Sequence, residues 1–156
     1  MTTLFETIET HTSQSVPVNL ESLIRELGIE LDKKADLPAD IAGQIELLPD
    51  GRYKISVNKA DHYFRQRFTM AHELGHFVFH KDLIGSGITD NRLYRSTNPK
   101  ITEKHEVEAN RFAASLLMPY RHVLRDYEEM ERDIEKLATK WKVSPKAMKI
   151  RLGIQA

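Results

Sequence analysis

His72-Glu73-Leu74-Gly75-His76 places two imidazoles four residues apart with a carboxylate beside the first. On a helix, residues four apart share one face, one turn from each other. Two imidazoles at that spacing can bind one zinc ion, and Glu73 stands where it can reach a water at the metal. Leu74 falls on another face, toward a core. Gly75 has no side chain, so a second backbone can approach closely there, at some loss of helix propensity. A catalytic zinc site uses three protein ligands and keeps one position open. The chain has no Cys, so the third ligand must be His, Glu or Asp.

The segment from Glu103 to Leu117 is the best source of that ligand. Steps of three and four from Glu106 reach Ala109, Asn110, Ala113 and Leu117. That face is small and mostly apolar, and it can pack on the His helix around Gly75. The same steps from Glu108 reach Arg111, Phe112 and Ser115, a more polar face. A ligand must point into the seam between helices, which favours Glu106 over Glu108. The ordinary role of Glu108 is a surface pair with Arg111. His105 is a third and weaker candidate. Asn110 can hydrogen-bond a ligating imidazole from behind. His80 extends the His stripe, but it also fits a helix-end His favoured by the C-terminal dipole. His11, His62 and His122 have no partner pattern and read as surface residues.

The elements that must position these residues follow from periodicity and caps. Leu4, Phe5 and Ile8 give a short apolar face in an otherwise weakly patterned stretch, 1–15. Leu20, Leu23, Ile24 and Leu27 predict a helix, with Asn19 as its N-cap and Gly28 as its stop. Residues 29–32 alternate, 41–48 are apolar, and 53–57 alternate again. Pro49-Asp50-Gly51 predicts a hairpin joining 45–48 to 52–57. The helical period returns after Asp61, the expected N-cap, and runs to about Phe79. Residues 81–100 show no clear period and predict a long loop that could wall a cleft. Thr102 caps the next helix, which Pro119 ends. A last helical region covers roughly 121–152, with a restart at Ser144-Pro145.

The expected fold is therefore α+β: one domain spanning 1–156, with a small antiparallel three-stranded sheet packed on the active helix. The second carboxylate-bearing helix lies alongside, and 121–156 form a C-terminal helical cap. Core candidates are Leu23, Ile24, Leu27, Ile45, Leu47, Ile55, Val57, Phe68, Leu74, Phe112, Leu116, Leu117, Leu137, Trp141 and Leu152.

The 156 residues carry 23 basic and 23 acidic side chains, which excludes a generally basic nucleic-acid coat. The absence of Cys excludes a disulfide scaffold, a thiol nucleophile and a thiolate metal site. No signal-peptide pattern opens the chain, and its longest near-apolar stretch, Phe112 to Met118, is far too short to span a bilayer. A cytoplasmic protein without membrane partners is the expectation. The neutral balance hides a split. An acidic run at 126–135 precedes Lys136, Lys140, Lys142, Lys146, Lys149 and Arg151. That end has the rhythm of a helix-turn-helix, so phosphate contacts are one reading and a solvated basic face is the other.

Arg67-Phe68-Thr69-Met70-Ala71-His72-Glu73-Leu74-Gly75-His76 and Glu106-Val107-Glu108-Ala109-Asn110-Arg111-Phe112-Ala113-Ala114-Ser115-Leu116-Leu117-Met118-Pro119 resemble the ImmA/IrrE family of metallopeptidases. The likeness extends over roughly 16–153. It implies a zinc-dependent endopeptidase of gluzincin type with zincin-type active helices. His72, His76 and Glu106 would be the ligands and Glu73 the general base. It also implies a cytoplasmic protein that cuts or inactivates a helix-turn-helix repressor in mobile-element or stress control. Many members carry a further DNA-binding domain, and no pattern for one is found here, so nucleic acid is not an expected partner.

In such a mechanism zinc polarises the scissile carbonyl, and Glu73 takes a proton from the attacking water and passes it to the leaving amine. An oxyanion donor is also needed, and His80, His105, Tyr94 and Arg95 are the candidates. Two other functions fit the same residues: a non-catalytic partner that binds a repressor or a toxin–antitoxin component, and a DNA-binding module built on the basic C-terminal helices.

Overall fold

The computed structural model describes residues 3–14 and 16–154. Helices α1 (Leu4–Gln14) and α2 (Leu20–Glu26) precede strands β1 (Glu30–Ala35), β2 (Ile41–Leu47) and β3 (Tyr53–Asn58). Helix α3 (Tyr63–Phe79), a 3-10 turn at Lys81–Leu83 and strand β4 (Gly87–Asn91) follow. Helices α4 (Glu103–Leu117), α5 (Tyr120–Glu129), α6 (Ile134–Trp141) and α7 (Pro145–Leu152) complete the chain. The caps explain many of these boundaries. Asn19 accepts from the Ser22 amide, Thr102 from the His105 amide, and Ser144 from the Ala147 amide with Pro145 opening the helix.

The fold is α+β, as expected, but the sheet differs from the expectation in two ways. It has four strands in the order β1-β3-β2-β4, and it is mixed. The β2–β3 hairpin is antiparallel as its turn predicts, whereas β1 runs parallel to β3. Alternation within β1 reports only a half-buried strand and carries no direction. The fourth strand lies inside the stretch expected to be a loop, and it pairs antiparallel with β2.

A row of apolar side chains crosses the whole sheet: Leu31 opposes Ile55, Ile55 opposes Ile45, and Ile45 opposes Ile88. Helix α3 packs on this face. Two residues further along, on the same face, Gly43 sits between Val57 and Asp90. A Cβ at Gly43 would stand 2.5 Å from the Thr69 methyl of α3, so only glycine lets α3 settle this close beside Asp90.

Several smaller expectations shift. His62, not Asp61, caps α3, and Asp61 instead pairs with Arg92. The C-terminal region breaks once more than its caps suggest, at Glu131 and Arg132, which both take positive φ. Leu47 is 42% exposed, so it is not core, while Leu27, Phe68, Phe112 and Leu152 are half-buried against the core. The indole of Trp141 is buried and donates to Asp126 at 3.0 Å, a packing role with its polar atom satisfied. No described helix is long and apolar enough to cross a membrane.

Candidate metal centre

The site is built where α3 and α4 touch. A Cβ on Gly75 would lie 3.1 Å from Ala109 Cα and 3.2 Å from its carbonyl oxygen. Glycine facing alanine thus brings two backbones together, and the side chains one turn to either side meet across the seam. His72 and His76 project from α3 and Glu106 from α4. Strand β4 closes the third side. Its burial alternates, so Ile88 and Asp90 face inward while their neighbours are half-buried.

Both imidazole Nε2 atoms face one point. Glu106 Oε1 is 3.2 Å from His72 Nε2 and 2.7 Å from His76 Nε2. Asp90 Oδ2 is 3.3 Å from His72 Nε2 and 3.4 Å from His76 Nε2. A tetrahedral zinc ion with bonds of about 2.0–2.1 Å spaces its donors by about 3.3 Å. The donor atoms of His72, His76, Asp90 and Glu106 all lie within 4.8 Å of one another, so the four residues can hold a metal ion.

The far side of each ring is held as well. His72 Nδ1 lies 2.7 Å from Asn110 Oδ1 and therefore carries the proton in that contact, so Nε2 is the nitrogen that would bind a metal. His76 Nδ1 lies 2.9 Å from His80 Nδ1, and His80 Nε2 lies 3.3 Å from Glu108 Oε1. One consistent assignment runs along this chain. His76 donates from Nδ1, His80 accepts there, and His80 donates from Nε2 to Glu108.

The electrostatics call for positive charge at the shared point. His72, Glu73, His76 and Asp90 are 0% exposed and Glu106 is 2% exposed. Both oxygens of Glu73, both of Asp90 and Oε2 of Glu106 have no hydrogen-bond partner. Three buried carboxylates with orphaned oxygens are costly unless protons or a cation compensate them. Burial pushes the Glu73 carboxyl well above its usual range, and Asp90 and Glu106 add to the rise. Burial opposes charge on His72, yet Asp90 and Glu106 outweigh it and hold its pKa up at about 9. The same balance raises His76. Burial also raises the Asp90 carboxyl, but its contacts with His72 and His76 outweigh that and hold it far below the carboxylate range. A divalent ion between the donors would answer all of these demands at once.

Glu106 stands in the cluster, and its competitor Glu108 stands outside, partnering His80. His80 lies behind His76, not among the Nε2 donors. Asn110 is where its spacing placed it. His105 accepts from the Thr102 amide through Nδ1 and so closes the capping box of its own helix. Tyr94 lays its ring 4.7 Å from the His72 ring and meets Thr69 through its hydroxyl at 3.0 Å. Its backbone is left-handed, at φ 55°. Arg95 pairs with Glu103 at the surface.

Sequence reasoning missed Asp90. Ile88 and Asp90 are two apart and share one face, but a single Ile in a five-residue stretch is too weak a period to announce a strand.

The model of one protein family, the IrrE N-terminal-like domain (Peptidase_M78), matches residues 24–153. No curated protein matches the chain. Among solved structures, a Mycobacterium tuberculosis transcriptional regulator is similar at 21% identity with a TM-score of 0.64, over 97% of this chain. The chain spans 46% of that protein's length, and the likeness is one of fold.

Proposed function

The chain belongs to the IrrE N-terminal-like domain family, the ImmA/IrrE-like zincin metallopeptidases, and from that premise we propose that it is a zinc-dependent endopeptidase. The observation that carries this reading is the convergence of His72 Nε2, His76 Nε2 and Glu106 Oε1, with the Glu73 carboxylate buried beside them and unpartnered. Zinc held there supplies Lewis acidity to a peptide carbonyl and to water. Glu73 is the general base. Burial raises its pKa, which strengthens it as a base that accepts a proton from water and returns it to the leaving amine. Asn110 and His80 fix the tautomers of the two imidazoles. Of the four oxyanion candidates we carry forward Tyr94, whose ring lies 4.7 Å from the His72 ring and whose hydroxyl would have to leave Thr69 to act. His80 is engaged at both nitrogens, His105 caps α4, and Arg95 turns to Glu103.

The substrate we propose is a helix-turn-helix repressor, in a cytoplasmic setting. Helices α6 and α7 form a helix-turn-helix pair, and a 460 Å³ cleft runs between α7 and the start of α3, lined by Phe64, Phe68, Tyr94, Ala147 and Ile150. Ile150 is 69% exposed at its edge, which suits an apolar helical partner. Incubation with helix-turn-helix repressors is the test. Discrete fragments are expected, abolished by a chelator. Glu73→Gln is expected to keep zinc and lose cleavage; near-native cleavage by that variant would overturn the mechanism.

A second reading is a metal-dependent protein that binds its repressor without cutting it. The complete burial of His72, Glu73 and His76 favours it. Stoichiometric inhibition with no new fragment would select it over the peptidase.

A further inference from the structure

We propose that Asp90 is a fourth metal ligand, and that β4 thereby holds the centre closed in a latent state. The inference rests on the metal reading above and goes beyond it. A peptidase of this type needs a coordination position for its substrate and water. Here that position is filled from within the chain.

Three observations point the same way. First, Asp90 approaches the metal side of both imidazoles. Residues that merely orient a ligating His sit at its other nitrogen, as Asn110 and His80 do at Nδ1. Asp90 Oδ2 instead faces Nε2 of His72 and Nε2 of His76, at 3.3 and 3.4 Å, close to the donor spacing of a tetrahedral zinc of about 3.3 Å. Second, Asp90 is 0% exposed, and neither of its oxygens meets hydrogen-bond geometry, its facing groups being the two imidazoles at 3.3 and 3.4 Å. A buried carboxylate so placed is costly unless protons or a cation compensate it. Third, the backbone is arranged to deliver it. Asp90 pairs with Gly43, where the missing side chain lets α3 approach the sheet.

The closure is of a kind that can open. Among the described strands β4 is a five-residue edge strand paired with β2, it carries one further bridge, from Asp90 to Ser96, and it shows a register irregularity between Ile41 and Gly43 beside Asp90. Beyond it, the chain is held by side-chain polar links: Arg92 with Asp61 and Tyr94 with Thr69, both part-buried, and Arg65 with the Arg92 carbonyl at the surface. A protein that drew β4 away would expose the metal and Glu73 together. The second cluster of possible donors, His80, His105 and Glu108, does not compete for this role. His80 Nδ1 faces His76 Nδ1, so a His80 that accepts there carries its own proton on Nε2, the atom that faces Glu108.

The test uses the full chain loaded with Co2+, whose visible spectrum reports ligand number, and with Zn2+ in competition against a chromogenic chelator. The wild type is expected to show a four-coordinate spectrum that azide does not change. Asp90→Ala and the isosteric Asp90→Asn are expected to bind Zn2+ at least about tenfold more weakly, since loss of a ligand should exceed the smallest effect of an outer partner. Both variants should also become azide-sensitive. Circular dichroism identifies a variant that has unfolded, and the other variant and the wild-type azide response then decide. An azide-sensitive wild type, or unchanged affinity in both folded variants, overturns the proposal. Wild-type protein that binds neither metal, or that binds them independently of His72 and Glu106, overturns the metal reading itself.

Discussion

The metal centre has two walls of different construction. The helical wall is α3 against α4, both capped, long, and locked backbone to backbone at Gly75 and Ala109. The strand wall is β4 with the chain to Tyr94: five residues paired with β2 and bridged once to Ser96, a left-handed Tyr94, and side-chain polar links. The first wall carries His72, Glu73, His76 and Glu106, and the second carries Asp90. Regular backbone hydrogen bonding makes the first wall costly to deform, while a short edge strand can detach at a fraction of the global stability. On the proposed reading, the ligands that stay are on helices, and the ligand that leaves is on the strand.

The largest effect that would break this division comes from removing a donor from the helical wall. Glu106→Ala is expected to weaken Zn2+ binding by more than about a hundredfold, above the upper range for outer-shell changes. Asp90→Ala is expected to weaken it less, because three helical donors remain. Chelator competition on both variants checks the order; Asp90→Ala as the more damaging change would mean that the strand, not the helix pair, anchors the metal.

The two walls also differ in legibility, for a physical reason. Helical period and caps span many residues, so α3, α4 and their inward faces could be read from His72, Gly75, His76 and the small face of Glu106. The β2–β3 hairpin was legible from its turn. Strand β4 has one inward apolar residue, Ile88, and its place is set by pairing with β2 some forty residues earlier. Nothing local encodes that pairing, and so Asp90 lay in what read as a loop. The direction of β1 was hidden likewise, since alternation is the same for parallel and antiparallel neighbours.

Charge couples the walls, and pH should show it. In chelator-treated protein, Asp90 and Glu106 hold the His72 pKa at about 9 against burial, above the unfolded 6.5. The stabilisation is whole below pH 6.5 and is lost as pH rises through about 9. Glu73, also raised, acts in the same direction, because the folded state keeps a proton that the unfolded state releases. A loss on the order of 3 kcal/mol between pH 6 and 9.5 is expected in urea unfolding. Asp90→Asn should flatten the slope, whereas an unchanged slope would place the coupling in Glu106 alone. Zn2+ affinity should rise across the same window, since the ligands must be deprotonated.

Within the helical wall, Gly75→Ala tests how tightly it is closed. The new methyl meets Ala109 backbone atoms at 3.1–3.2 Å, and backbone cannot swing aside as a flexible side chain would. Overpacking of this kind costs about 1–3 kcal/mol. The gain in helix propensity over Gly, up to about 1 kcal/mol, offsets part of it. A net loss in thermal midpoint with weakened Zn2+ binding is expected; a stabilised variant with unchanged metal affinity would show that the seam has slack.

The smallest effect separates the walls most cleanly. Tyr94→Phe removes only the hydroxyl that meets Thr69 at 3.0 Å, and the ring keeps its contacts with His72 and Phe68 and with the Arg65 guanidinium. A neutral hydrogen bond contributes about 0.5–1.5 kcal/mol. That corresponds to roughly a two- to twelvefold change in an opening equilibrium at 1.4 kcal/mol per factor of ten. If the strand wall opens by itself, amide hydrogen exchange should speed up by that factor at Ile88 and Asp90 and stay unchanged in α4, with Zn2+ affinity nearly as in the wild type. Equal acceleration in β4 and α4 would mean that the two walls open as one unit, and that Asp90 cannot leave the centre without the helices leaving with it.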